Sequence, residues 1–374
     1  MQTSYRLFVS CTRFNLQLFK AGTVNLCTKK FSISSKLLAM ENPAKKICPV
    51  KKIGTHNGTF HCDEVLACFM LKQLPQYKDA EIVRTRDKVV LDECDIVVDV
   101  GGVYDPSNHR YDHHQRSFTS TMNSILPSKP WTTKLSSAGL VYCHFGEDVV
   151  AEVLGLSKEN ARVAAIYDKI YENFMEEIDA IDNGVSACQE PKYIIHTGLS
   201  SRVKHLNPNW NSKDQDTECR FKKAMELTGS EFVERVKYYN DCWWPAREIV
   251  EEAINGRFDV DASGELIEFT QGGCPWKEHL YALEETLNIE TPIKYALYTD
   301  QNGKYRVQCV SVSSTSFENR LSLPEKWRGV RDEELSTLSD IPGCIFVHAS
   351  GFIGGNETRE GALAMARKSL EIAK

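Results

Sequence analysis

The sequence has no Cys-x-x-Cys pair, no internal repeat and no low-complexity tract. It also has no apolar run near the roughly 18 residues that a membrane span needs, so no membrane partner is expected. Thirteen cysteines, an odd number, are scattered along the chain. That spacing fits neither a disulfide scaffold nor a zinc ribbon, and reads as reduced thiols of an intracellular compartment. Residues such as Cys68 and Cys143 are expected to act as small core hydrophobes. A formal charge of −6 argues against a surface coated in basic residues, but leaves room for a local basic groove. No acid precedes Glu41, whereas Arg6, Arg13, Lys20, Lys29, Lys30 and Lys36 do. Together with Phe8, Phe14, Leu16 and Phe19 they make the basic amphipathic pattern of a mitochondrial transit peptide; a disordered tail is the alternative. Lys45-Lys46 and Lys51-Lys52 form a weak nuclear-import pattern.

What remains is long enough for two domains. We expect a leader over 1–45, a catalytic domain over 46–255 and a smaller α/β substrate-binding domain over 256–374. Lys52–Thr55, Ile82–Thr85 and Ile96–Val100 read as strands, with a helix from Cys62 to Leu74 between the first two. Strands alternating with helices imply an α/β fold with a mainly parallel sheet, whose ligands sit beyond the carboxyl ends of its strands. Ser136 or Ser137 is placed to cap a helix. A helical segment follows from about 150 to 255, with one helix over 168–181 ending at Asn183-Gly184 and longer ones over 221–253 interrupted at Pro245. The second unit has strand candidates at 266–269, 295–298, 305–312 and 344–347, then a final helix at about 360–372.

Five of the ten histidines fall between positions 56 and 114, among acids: His56, His61, Asp63 and Glu64, then Asp99, then His109, Asp112, His113 and His114. Imidazole with carboxylate is a ligand set for Mn²⁺, Mg²⁺ or Zn²⁺. Two cations about 3.5–4 Å apart need a bridging ligand, terminal ligands and open positions. Asp99, at a strand end, is placed to bridge. His56, His61 and Asp63 come from one loop, His113 from another, and Asp182 from the end of a helix. Such a centre lowers the pKa of water and neutralises charge on a phosphoryl group. Lone histidines such as His144 and His196 are expected to be satisfied core residues, and Asp179 a solvated helix acid.

The Asp112-His113-His114 triplet resembles the signature of the DHH phosphoesterase superfamily, and Asp182-Asn183-Gly184 follows in the right order. Gly54–Glu64, Asp99–Gly102, Tyr111–Phe118, Lys134–Gly139, Cys274–His279 and Phe346–Gly355 are similar to motifs of one branch, the melanocyte-proliferating-gene (Myg) exonuclease family. The resemblance covers about residues 51–370. It implies a DHH-type catalytic domain and a metal-dependent 3′–5′ RNA exonuclease. The implied site of action is the mitochondrial matrix, with nucleus and nucleolus second. It further implies that His56, His61 and Asp99 hold one of two divalent ions, Mn²⁺ or Mg²⁺. Asp63, Asp99, His113 and Asp182 would hold the other, with His114 facing the phosphate. The superfamily opens on His-x3-Asp-x-Asp; here it is His56-x4-His61-x-Asp63, one acid having become a histidine, which weakens the pull on a hard cation.

In DHH enzymes the carboxyl-terminal domain supplies a glycine-rich phosphate-binding element. His348, Gly354 and Gly355 before a helix fit that role, with Arg359 adding a charge-assisted contact. Arg86, Arg116 and Lys134 are further backbone-contact candidates, and Phe118, Trp131 or Phe352 stacking candidates; Trp243-Trp244 reads as core packing. The expected partner is single-stranded RNA, and a homo-oligomer stays open. Two alternatives remain: a phosphatase or pyrophosphatase for small substrates, and a metal-binding protein without catalysis.

Overall fold

The computed structural model describes residues 50–373, so the expected leader and Lys45-Lys46 lie outside the described residues. Five strands form the first sheet: β1 (Lys52–Thr55), β2 (Glu81–Arg84), β3 (Ile96–Val98), β4 (Tyr104–Asp105) and β5 (Arg110–Tyr111). Their order is β2-β1-β3-β5-β4. All neighbours run parallel except the edge pair β4/β5. The parallel sheet expected from strand–helix alternation is therefore present; β4 and β5, two residues each, carry no periodicity to read.

The helix Cys62–Gln73 returns the chain from β1 to β2 and buries Val65, Leu66, Met70 and Leu71. Helices Ser137–Leu154 and Thr217–Tyr238 join it in one core with Ile53, Ile96 and Val98. Each fully buried aliphatic side chain there contributes about 1.5–3 kcal/mol.

Two helix boundaries differ from expectation. The helix placed at 168–181 starts earlier, at Ala161, where Asn160 accepts from the Arg162 N–H at 3.0 Å. It then passes through a π-helical turn, Tyr171–Met175, into Glu176–Asp182. Pro245 does not break the later helices. A second π turn, Tyr239–Trp243, joins Thr217–Tyr238 to Trp244–Asn255, and Pro245 comes just after it, so the residue without an N–H coincides with a change of winding rather than with a break.

The second sheet comprises β6 (Leu266–Phe269), β7 (Tyr295–Thr299), β8 (Tyr305–Cys309), β9 (Cys344–Val347) and β10 (Ile353–Asn356), in the order β6-β7-β8-β10-β9. Only β6 and β7 pair parallel. Both faces are covered. Leu266, Tyr295 and Leu297 face a core shared with the helix Arg359–Ile372. Ile267 and Ala296, one residue out of phase, face Val250, Ile254 and Leu280. The two-residue alternation of a strand thus serves two cores at once. Both sheets belong to one compact unit.

The expected glycine-rich turn before the last helix is instead strand β10. Gly354 pairs with Val307 and Val347, and Gly355 with Arg306 and Phe346. A Cβ at Gly355 would meet Arg306 Nη1 at 2.6 Å, and one at Gly354 would meet Leu323 and Met365 at 3.0 Å. These glycines are required by close packing inside a sheet.

Candidate metal centre

The acidic-histidine segments converge at the carboxyl ends of β1 and β3. β3 stops at Val98 because Asp99 takes a left-handed conformation, φ +58°, followed by Gly101 and Gly102, also at positive φ. Aspartate tolerates that region better than most residues, yet holding it there costs energy, and such strain concentrates at functional sites. The turn aims a buried carboxylate at three histidines. Asp99 Oδ2 lies 3.3 Å from His56 Nε2, and Oδ1 lies 3.4 Å from both His113 Nε2 and His114 Nδ1.

Three ligand groups result, each with its ligand atoms within 4.8 Å of one another: His56, His61, Glu64 and Asp99; Asp99, His113 and His114; and Asp63, His113 and Asp182. Asp99 and His113 connect them. The sequence-derived ligands are therefore all brought together, with Glu64 as an addition. Its carboxylate lies 3.2 Å from His56 Nε2 and accepts from the His61 backbone N–H at 3.0 and 3.1 Å. The three-residue spacing from His61 to Glu64 is a capping-box spacing, the signal that was available for it.

Asp63 is held by a helix end. The free N–H groups of Ser137 (3.1 Å) and Ala138, at the start of Ser137–Leu154, donate to its two oxygens. The Ser137 hydroxyl donates to Asp99 Oδ1 at 3.2 Å. Ser136 caps this helix as expected, its Oγ accepting from Gly139 N. Beneath it, Asp179 is a correction to the sequence reading: it is fully buried. It accepts from Ser136 N (2.9 Å), Ser136 Oγ (2.7 Å) and Tyr171 Oη (2.9 Å). Alternating acids in Glu176–Asp182 resemble a solvated face, and only the π turn that brings Tyr171 inward shows otherwise.

The electrostatics call for added positive charge. Burial, then the charges of Asp99 and Asp182, push the Asp63 carboxyl well above its ordinary value. Burial opposes the charged form of His56, but the carboxylates of Asp99 and Glu64 outweigh it and raise the imidazole to about 10. Burial likewise opposes His113, and Asp182 and Asp99 outweigh it, raising it to about 11. Burial works against ionisation of Asp99 too, yet His113 and His56 hold it far below the usual carboxylate range. The carboxylates around both imidazoles thus favour positive charge at this point, the charge a bound cation would supply.

Neither buried ring nitrogen of His113 has a partner in hydrogen-bond geometry, although Nε2 lies 3.0 Å from Asp182 Oδ2. Carboxylates crowded around such a nitrogen fit a divalent ion. His114 differs. Its Nδ1 lies 2.8 Å from Asp112 Oδ1, which raises its pKa, and its ring is exposed. Asp112 is fixed in turn by the N–H groups of Gly102 (2.6 Å) and His114 (3.0 Å).

Two cavities open on the centre. One of 370 Å³ is lined by His61, Asp63, Asp99, Asp182 and, from the helix Leu199–Leu206, Ser200, Ser201 and Lys204. The other, of 500 Å³, is lined by His56, Arg86, Asp112 and Gln115. His61, Asp99 and His114 border both. The helix Leu199–Leu206 falls in the segment expected to be helical, but it carries no motif that marks Ser200, Ser201 or Lys204 as part of the site.

The expected substrate contacts lie elsewhere. Arg116, Lys134, His348, Gly354, Gly355 and Arg359 line neither cavity. The Arg359 guanidinium is occupied by Glu268, with Nε donating at 2.8 Å. The Lys134 ammonium lies over the Phe118 ring, and its carbonyl accepts from Asn183, next to Asp182. His348 is exposed and bonded to Ser350. Phe118 is buried and unavailable for stacking, and Trp131 packs on Tyr171. His196, expected in a core, is exposed, whereas half-buried His144 pairs with the Tyr104 hydroxyl at 2.9 Å. Trp243 and Trp244, expected in a core, are both half-buried: Trp243 packs on the edge of the first core and against His279, while the Arg162 guanidinium lies over Trp244.

The family model MYG1_exonuc, described as an uncharacterised protein family (UPF0160), matches residues 52–370. A human protein named MYG1 exonuclease is 61% identical over 327 residues, covering 87% of each chain. A rat MYG1 exonuclease is 59% identical over 340 residues, covering 90% of this chain and 89% of that one. A MYG1 protein of Caenorhabditis elegans is 54% identical over 326 residues, covering 86% and 96%. With the match running from the first strand into the last helix, this chain belongs to the MYG1 exonuclease family.

Proposed function

We propose that this protein is a metal-dependent 3′–5′ exonuclease of the DHH phosphoesterase type acting on single-stranded RNA. In this reading residues 46–255 are the catalytic domain and 256–374 the substrate-binding domain. It would work in the mitochondrial matrix, directed by residues 1–45, with nucleus and nucleolus as second site. The observation that carries the reading is Asp99, a strained carboxylate shared between ligand groups at a strand end. His56, His61, Glu64 and Asp99 would hold one divalent ion, and Asp63, Asp99, His113 and Asp182 the other. The names of the human and rat relatives support the exonuclease part.

Bound Mn²⁺ or Mg²⁺ supplies Lewis-acid polarisation of a phosphoryl oxygen and a water nucleophile at neutral pH. The chain's own groups do the rest. Ser137 and the helix start fix the oxygens of Asp99 and Asp63. Asp112 favours the protonated form of His114, whose ring borders the cavity and can donate to a phosphate oxygen.

The test is purified protein with end-labelled RNA of several lengths and Mn²⁺ or Mg²⁺. A ladder shortening from the 3′ end supports the reading. Turnover of dinucleotides or pyrophosphate alone supports a small-substrate phosphatase, and no hydrolysis with either metal overturns both. Residues 1–45 fused to a fluorescent reporter should reach mitochondria; diffuse cytosolic signal would count against the location.

A further inference from the structure

The 370 Å³ cavity is lined by ligand residues together with Ser200, Ser201 and Lys204 of the helix Leu199–Leu206. Arg202 on the same helix is engaged by Glu231, whereas Lys204 is exposed and forms no ion pair among the described residues. It is thus an available cation beside the carboxylates of the centre. At the helix end, Asn207 clamps the residue before His61. Its Oδ1 accepts from Phe60 N at 3.0 Å and its Nδ2 donates to Phe60 O at 2.8 Å. Three residues later stands Trp210, 94% exposed. By chain reach its Cα is within about 11 Å of that of Asn207. An indole left almost wholly in water forgoes a large apolar gain, and Trp210 stacks on no other ring among the described residues. Lys204 lines the cavity and Trp210 follows six residues on; a cation and an unpartnered aromatic close together in the chain are the elements with which proteins hold single strands.

We propose that Lys204 to Trp210 is the track that holds the single strand beside the metal centre. Lys204 binds a backbone phosphate next to the scissile one, and Trp210 stacks the base beyond it. This rests on the reading of the centre as a nucleic-acid phosphodiesterase. Asn207 ties the track to the His61 loop, so strand and ligands keep a fixed register.

The test is fluorescence anisotropy of a labelled, phosphorothioate-protected single-stranded oligoadenylate with the full chain in Mn²⁺, which needs no turnover. Trp210→Ala should weaken binding about 5- to 150-fold, the range of one lost base stack, while Trp210→Phe keeps most of it. In hydrolysis assays the loss should fall on KM. An abasic strand of equal length should bind the wild type and Trp210→Ala alike. Lys204→Ala should weaken both strands and reduce the salt slope by about one. Unchanged binding of the oligoadenylate by Trp210→Ala, or equal loss on the abasic strand, overturns the track, as does a wild type that binds no strand. Absence of hydrolysis by a wild type that does bind overturns the phosphodiesterase reading and leaves the track standing.

Discussion

Replacing Gly139 by alanine should damage this protein, although the same change inside most helices stabilises them by up to about 1 kcal/mol. Gly139 lies in the first turn of Ser137–Leu154, against Asp179. A Cβ built there falls 2.5 Å from Asp179 Oδ2 and 2.6 Å from its Cγ. Asp179 cannot withdraw, because it is fully buried and three donors from Ser136 and Tyr171 hold it. Overpacking of this kind costs about 1–3 kcal/mol, and loss of one or two of those bonds adds about 1 kcal/mol each. Set against the helix gain, the net should be a destabilisation of about 1–4 kcal/mol. Chemical denaturation of Gly139→Ala beside the wild type measures it. The sharper assay is a double-mutant cycle with Asp179→Ala. Asp179→Ala opens space for the new methyl group, so adding Gly139→Ala to it should cost much less than in the wild type. A neutral or stabilising Gly139→Ala, or strictly additive costs, would refute the packing argument.

The same carboxyl sets a pH dependence. Burial raises Asp179 from an ordinary 3.8 to about 7, against its hydrogen bonds. A raised folded-state value means a contribution complete below about 3.8 and lost as pH rises through about 7, amounting to roughly 4 kcal/mol at most. Asp179→Asn, which keeps an acceptor for Ser136 and can donate to Tyr171, should flatten stability against pH over that window; an unchanged slope would contradict it. Asp99→Ala should abolish hydrolysis while circular dichroism stays native, and retained turnover would refute its role. Saturating Mn²⁺ should raise the melting temperature, by the equivalent of about 2.7 kcal/mol for each bound ion at a hundredfold excess over its Kd. Chelation should reverse the rise, and a melting curve indifferent to both would argue against bound metal.

Much of this was legible in the chain. β1, β3 and the helix after His56 follow from apolar runs ended by turns, and the ligand positions follow from strand ends. Other features resisted for physical reasons. Gly354-Gly355 reads as a turn, since the neighbours that forbid a side chain there, Arg306, Leu323 and Met365, are far away in sequence. Asp179 is buried by a local winding change that side-chain periodicity does not register. Glu64 looks like helix-start charge, which it also is. Lys204 and Trp210 belong to no motif; only folding brings the first to the same cavity as Asp182 and leaves the second in water.

The central claim is that Asp99 is shared between two cations. Titration of the purified protein with Mn²⁺, followed by electron paramagnetic resonance, tests it most directly. Two ions per chain with spin-coupled spectra are expected, and loss of the coupling in Asp99→Ala. A single uncoupled ion in the wild type, or coupling that survives Asp99→Ala, would contradict it.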